Sequence, residues 1–589
     1  MSNDFTWNLH LIENNLRYDG VRSYFTSDKG QTESSDQVKT YKGYLNENSS
    51  NTVRLSFYNN SIEGFVKIND EVYRIIPVSR LSKTSNKQNV ILICKEKEII
   101  NDLYLGNDMI KLIDSRPDVE FELKSINYGA PVRMVRIAVE GDYEFYQNHG
   151  SNSNSYIETV INMAEDVYQS TFNIIFRIVY INSYTSSNDP FTQAFTSSNK
   201  ENFLYELNQH FISSHSDIYR DVTFLFTGKP TDNLAGIAFT PGSYGAVKDG
   251  ATPHHTFAHE LGHNFNADHN YAINCDTPNA SIMCPEGEKK VPLYFTSANI
   301  SRINSNISNR LITYSYFDDD VLCGSTSFSI SNIPSGFTVS WPKSSNLEFS
   351  GNSTGSPVTI VAVSNGEGWV EPTLSRGSSS NTVKFPKDEF WVGMPDNTQI
   401  DMIVMFGQSP GNILCTNSEQ TIAAGHTNAA QQDIESYYWD FGSWSQYHTG
   451  YDLWGITNSR PTFYLGGYPP TSQVIKAAAH NQCGHSMTYA KSKTFYAQNC
   501  YGLRLVFSPN PATGETTMTI ETTSPEESVD QVVEWEMEVF NPSQSLKEKK
   551  TNLKGNIAKI QTFGWKEGVY LVRVKYKDEI LTEKLVVKR

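Results

Sequence analysis

Eleven residues, His259 to His269, set three imidazoles and a carboxylate at spacings that suit a metal ion and a base. His259 and His263 are four apart, so on a helix they share one face, about one turn from each other. Two imidazoles so placed can reach one zinc ion. Glu260, beside the first, can touch a water on that ion without being a ligand. His269 follows His263 by six residues, and helical geometry would not aim it at the same point. The chain must turn between them. Asn266 is the expected turn, because the turn needs positive φ and Asn is the best substitute for glycine there. Chance is a weak rival, since the chain holds only 13 histidines in 589 residues. A purely structural zinc site would more often use cysteine and carry no adjacent Glu.

Such a constellation needs a helix, a turn after it and a sheet to pack both against. Residues 129–320 alternate strands and helices in a way that can supply these. Met134 to Val139 reads as a strand. Ser155 and Glu158 read as a capping box, followed by Ile157, Val160, Ile161, Ala164, Val167 and Tyr168 at helical spacing. Ile174 to Ile181 is a strongly apolar strand. Phe203, Leu204, Leu207 and Phe211 mark a second helix, and Val222 to Phe226 a short buried strand. The run Leu234 to Phe239 precedes the histidine helix. Ser297 opens a last helix with Ile300, Ile303 and Ile307.

The histidine run resembles the metzincin signature H-E-x-x-H-x-x-G-x-x-H, with Asn266 where that family usually has glycine. The order of elements is similar to the catalytic domain of reprolysin-type (adamalysin-like) metalloproteases. Asn270 stands where those proteins usually have Asp. The resemblance implies an α+β zincin domain that binds Zn2+ through His259, His263 and His269. Glu260 would be the general base that takes a proton from the attacking water and gives it to the leaving amine. Met283 would be the residue of the Met-turn, a soft apolar floor under the ligands. Gly236, Ile237 and Ala238 would form an open edge strand to which an extended peptide adds. Residues 285–293 would wall the specificity pocket. Cys275 and Cys284 flank the approach to Met283 and are expected to pair, two free buried thiols being the alternative. A structural Ca2+ ion is a further expectation, for which no ligands can be named.

Residues 1–128 are β-rich. Val53, Leu55 and Phe57 alternate, and Asn69-Asp70 marks a turn between Phe65–Ile68 and Val72–Ile76. The stretch Asn60 to Pro77 resembles the pro-segment of the same proteases, which would block the site until cleaved. Cys94 is the only thiol there that could act as a latency ligand, but Leu92-Ile93-Cys94-Lys95 does not match the relatives' motif. A plain buried thiol is the competing reading.

After Cys323 helical periodicity stops. Phe337, Val339 and Trp341 alternate, as do Val358, Ile360 and Ala362, which implies β-sandwiches. Residues 323–397 resemble a bacterial Ig-like module. Residues 398–500 carry Tyr438-Trp439-Asp440-Phe441-Gly442, similar to the Trp-x-Phe-Gly core of PKD-like sandwiches. Residues 501–589 open with Phe507-Ser508-Pro509-Asn510-Pro511, contain Gly568-Val569-Tyr570 and end Lys584 to Arg589. They resemble the C-terminal sorting domain of the type IX secretion system of Bacteroidetes.

The fold class is therefore multidomain: a β-rich pro-segment, a metzincin catalytic domain and β-sandwich modules. The net charge of −16 and pI near 5.3 disfavour nucleic acid and anionic membranes as partners. No apolar run approaches the ~20 residues of a spanning helix. Met1-Ser2-Asn3-Asp4-Phe5 shows no charged-then-apolar leader. Either the protein stays in the cytoplasm or a leader has been removed, and the C-terminal block favours removal and a secreted or cell-surface product. The expected partners are protein or peptide substrates and the type IX machinery. The competing class is a cell-surface adhesin or glycan-binding protein whose zinc domain is vestigial.

Overall fold

A computed structural model describes residues 7–17, 21–34, 38–46, 48–69, 71–81, 90–99, 108–111, 131–270, 281–285, 294–377, 382–406, 412–416, 419–447, 461–465, 469–498, 503–522, 529–542, 545–577 and 579–588. Cys275 and most of the expected pocket wall, residues 286–293, lie outside them.

The N-terminal residues form a six-stranded antiparallel sheet, from Leu9–Glu13 to Ile91–Lys95. Asn59 and Asn60 both have positive φ, 45° and 58°, between paired strands Asn48–Tyr58 and Ser61–Ile68. Adjacent Asn residues suit the two left-handed positions of such a hairpin turn. Val53 and Leu55 face an apolar core with Leu45, Val66 and Ile75. Phe57, third in the expected alternation, is 40 % exposed and packs edge-on against Tyr41. The opposite face carries Arg54, Ser56, Glu63 and Arg74, all buried.

That polar face is buried because a helix, Ser153–Phe172, lies on it. Arg54 pairs with Glu165 at 2.7 Å and Asp166 at 3.2 Å, and Asn162 donates to the Leu55 carbonyl. The helix starts two residues before the expected cap. Its N-cap is Asn152, Ser155 lies inside the first turn, and the Glu158 carboxylate pairs with Arg17 at 3.0 Å instead of closing a capping box. A tertiary ion pair has outcompeted the local motif.

The central sheet has twelve strands. Val132–Gly141 runs parallel to both Ile174–Tyr184 and Val222–Thr227, and Val222–Thr227 is parallel to Tyr244–Lys248. Gly236–Thr240 pairs antiparallel with Tyr244–Lys248, a strand that the sequence pattern did not reveal. Val135, Ile137 and Val139 face the helices Ser153–Phe172 and Pro253–Asn264 in one core. Ala138, Leu225 and Ile237 face the other side, where the helix Lys200–Ser214 buries Phe203, Leu204, Leu207 and Phe211. Strands from other parts of the chain extend the sheet: Ser23–Ser27 beside Ile174–Tyr184, Met109–Lys111 beside Gly236–Thr240, and Ser325–Ser331 beside Ile312–Ser315.

Beyond residue 320 all described regular structure is strand or short 3-10 helix. Phe328, Val339, Trp341, Val358 and Ile360 fill one core, Trp439, Phe441 and Trp444 a second, and Trp535, Tyr570 and Val572 a third. A disulfide joins Cys323 to Cys483. Among the described residues no helix is long and apolar enough to cross a membrane, which says nothing of membrane-spanning strands.

Candidate metal centre

The helix Pro253–Asn264 carries the first two histidines. Pro253 opens it, where its fixed φ suits a first helical turn and its missing N–H costs nothing. The helix ends on a Schellman turn: Ala267 N–H donates to Gly262 O at 2.8 Å and Asn266 N–H to His263 O at 2.9 Å. Asn266 has φ of 73°, the left-handed position expected there. Asn264 donates to the carbonyls of Phe239 and Tyr244, tying the helix end to both strands below it.

The turn brings His269 back to the first two rings. Nε2 of His259 lies 3.1 Å from Nε2 of His263 and 3.2 Å from that of His269, and the third separation is 3.0 Å. Ligands on one tetrahedral zinc ion stand about 3.4 Å apart, so the donor set fits. The back of each helical ring is held by backbone. His259 Nδ1–H donates to Ile282 O at 2.6 Å, and His263 Nδ1–H to Ala267 O at 2.9 Å. These bonds fix the tautomer that leaves Nε2 free to coordinate. Asn299 clamps the Asp268 backbone on both sides, and Asn270 N–H donates to Met283 O at 3.0 Å. The Asn270 side chain bonds Ser281, Thr296 and Asn299.

Two glycines make room. A methyl group on Gly262 would stand 2.7 Å from the Met283 sulfur, which packs under the helix between the two ligands. A methyl group on Gly236 would stand 2.4 Å from a Glu260 carboxylate oxygen. Glu260 is fully buried. The structure thus brings His259, Glu260, His263, His269, Met283 and Gly236 together, with Ile237 and Ala238 on the strand alongside. Cys284 is disulfide-bonded, and its expected partner Cys275 is outside the described residues. Cys94 is a free thiol, held above its usual pKa by burial, and it takes no part in the centre.

One residue of the site had no motif to announce it. Asp108 is buried, and its carboxylate lies 2.9 Å from His269 Nε2, 3.2 Å from His259 Nε2 and 3.6 Å from His263 Nε2. Burial alone would raise its pKa, yet the three rings hold it well below the carboxylate range. Ala238 N–H donates to the Asp108 carbonyl at 3.1 Å, and Met109–Lys111 then pairs in parallel with Ala238, Phe239 and Thr240. The edge expected to be open is covered by the chain's own residues.

A second cluster locks the same N-terminal segment to the motif helix. Glu96 meets His254 Nε2 at 2.9 Å, His255 Nε2 at 3.2 Å and Arg74 at 3.0 Å. The Arg74 guanidinium is 3.3 Å from His254 Nδ1. A fixed cation inside the cluster makes it an ionic latch rather than a metal site. Among the described residues each cluster that could hold an ion includes at least two imidazoles. Such donors suit transition metals, and the expected structural calcium finds no support.

Residues 132–329 match the model of metallo-peptidase family M12. The chain carries an M12 metallopeptidase domain. Residues 506–588 match the secretion system C-terminal sorting domain, which points to a secreted or cell-surface protein using type IX secretion. Between and around these parts the chain is rich in β-structure. A crystal structure of metalloproteinase-II from Bacteroides fragilis is similar at 11 % identity, covering 51 % of this chain and 88 % of that one, with a TM-score of 0.33. A chaperone–substrate complex is 16 % identical over 30 % of this chain, with a TM-score of 0.24, and the match spans only 34 % of that chain. No curated protein matches the chain.

Proposed function

We propose that the M12 domain is a secreted zinc endopeptidase of reprolysin-like type and that the chain is its latent form. The observation that carries this reading is the convergence of three Nε2 atoms within 3.2 Å of one another, with the buried Glu260 on the helix that carries two of the rings. A bound zinc ion supplies Lewis acidity, acidifying water and polarising a peptide carbonyl. The chain's own residues do the rest. His259, His263 and His269 are pre-oriented by backbone carbonyls and by the Schellman turn. Glu260 takes the proton of the attacking water on a carboxylate oxygen and delivers it to the leaving amine. Gly236, Ile237 and Ala238 offer backbone groups along which an extended substrate aligns.

In the latent form Asp108 stands where water and the scissile carbonyl must come, and Met109–Lys111 takes the substrate's place on the edge. The rest of residues 1–128 would act as the pro-segment, anchored through Arg54 and Glu96. Among the described residues, none after residue 323, in the modules read as Ig-like and PKD-like sandwiches, enters this centre.

The test uses the full chain, with casein hydrolysis and bound zinc measured on each variant. Wild type is expected to hydrolyse slowly and Asp108→Ala rapidly. Asp108→Ala with Glu260→Ala should keep its zinc and lose activity by about 10²–10⁴-fold. Equal rates for wild type and Asp108→Ala would sink the latency reading. Zinc bound without cleavage by any variant would move the function to a narrow substrate choice or to the sandwich modules.

A further inference from the structure

On the sheet face away from the motif helix, a second set of side chains converges in the same manner. Glu140 lies near the end of the strand Val132–Gly141, fully buried. Among the described residues no Arg or Lys pairs with it, and its ion partners are His210 and His215. A buried carboxylate without a compensating cation is costly.

The carboxylate's two oxygens differ. Oε1 is well served: Tyr184 O–H donates at 3.1 Å, Asn182 Nδ2 at 3.2 Å and Tyr180 O–H at 3.4 Å. Among the described residues Oε2 accepts no hydrogen bond: His210 Nε2 is 3.1 Å away but meets the Tyr184 hydroxyl, also at 3.1 Å. His215 Nε2 approaches from the other side, 3.7 Å from Oε1. The two rings cross at 80° with centroids 5.1 Å apart. The same pattern marks the first centre. There His259 and His263 cross at 81° with centroids 4.7 Å apart, and the Asp108 oxygens sit 2.9–3.6 Å from ring nitrogens while accepting no hydrogen bond.

We infer that Glu140, His210 and His215 form a second divalent transition-metal site, separate from the one in the proposed active centre. Two imidazoles and one carboxylate select zinc, cobalt or nickel over calcium or magnesium. Tyr184 and Asn182 orient the carboxylate through Oε1, as outer-shell partners of metal ligands do. The ligands come from a central strand, from the last turns of the helix Lys200–Ser214 and from its C-cap. The ion would pin that helix end to the sheet. Its role is structural, because the site faces away from Glu260. The rings are partly open to solvent, 12 % and 16 %, which leaves an entry path.

The test is zinc loading of the full chain after chelation and desalting. Wild type should bind about two ions and His210→Gln about one. His263→Gln removes the first centre, so any ion left on it must depend on His210 and His215. In that background zinc should raise the melting temperature, and Glu140→Gln, which keeps the shape and the Tyr184 contact, should abolish the rise. If His210→Gln does not fold, Glu140→Gln is the variant for the count. Unchanged metal content in Glu140→Gln or His210→Gln, in either background, would overturn the site and leave an ordinary His–Glu ion pair. About one ion retained by His263→Gln supports the site, and none retained would overturn it as well.

Discussion

At the residue scale, the proposed centre depends on atoms that are missing as much as on those present. Gly262 has no Cβ, and the Met283 sulfur occupies that space. Gly262→Ala should gain about 1 kcal/mol from helix propensity and lose about 1–3 kcal/mol to overpacking. A lower urea midpoint and weaker zinc binding by chelator competition are the expected outcome. A more stable variant with unchanged affinity would make Met283 simple filler. The three histidines, Glu260 and the Asn266 turn were legible in the sequence because their geometry is written in spacing along one helix and its cap. Asp108 was not, because nothing local marks it; only the pairing of Met109–Lys111 with the edge strand brings it to the rings. Glu140, His210 and His215 escaped for the same reason, being joined by packing across the sheet and not by a motif.

At the element scale, the sequence pattern located the main helices and parallel strands, since each has a strong apolar stripe. It missed Tyr244–Lys248, too short and glycine-containing to stand out, and it misplaced the start of the helix Ser153–Phe172, where Arg17 claims Glu158. It also gave no hint that the N-terminal sheet has a buried charged face. That face makes docking sensitive to acid. Burial, then His255 and Arg74, hold His254 down to about 3. Once unfolded it titrates at its ordinary 6.5, so between those values the unfolded chain binds a proton that the folded one refuses. Stability therefore falls as pH drops from 6.5 towards 3. Burial opposes ionisation of Glu96, yet His255 and His254 keep it well below 4.5. Its contribution is present above 4.5 and is lost at still lower pH. The urea midpoint should fall from pH 7 to pH 5, less steeply in His254→Gln. Parallel pH profiles for the two proteins would remove His254 from the latch.

At the scale of the whole molecule, the M12 domain and the β-rich residues that follow it are joined by more than linkers. Ser325–Ser331 continues the central sheet across residue 320, and Cys323 is bonded to Cys483, 160 residues on. The composition change after Cys323 was visible in the sequence, but the bond from Cys323 to Cys483 was not, because cysteine spacing does not give connectivity. A crosslink closing a loop of that length removes chain entropy from the unfolded state worth about 5 kcal/mol. Asn481 lies beside Cys483 and donates to the carbonyls of Gly393 and Gln432, so the bond sits in an already ordered junction. Its loss should therefore lower stability without unfolding the junction outright. Cys323→Ser with Cys483→Ser should melt several degrees lower in calorimetry, in the transition of the modules after residue 323. Zinc content and casein hydrolysis in the Asp108→Ala background should stay the same, because among the described residues none after 323 enters the proposed centre. A matching fall in activity would show that the residues after 323 support the M12 domain through the shared sheet.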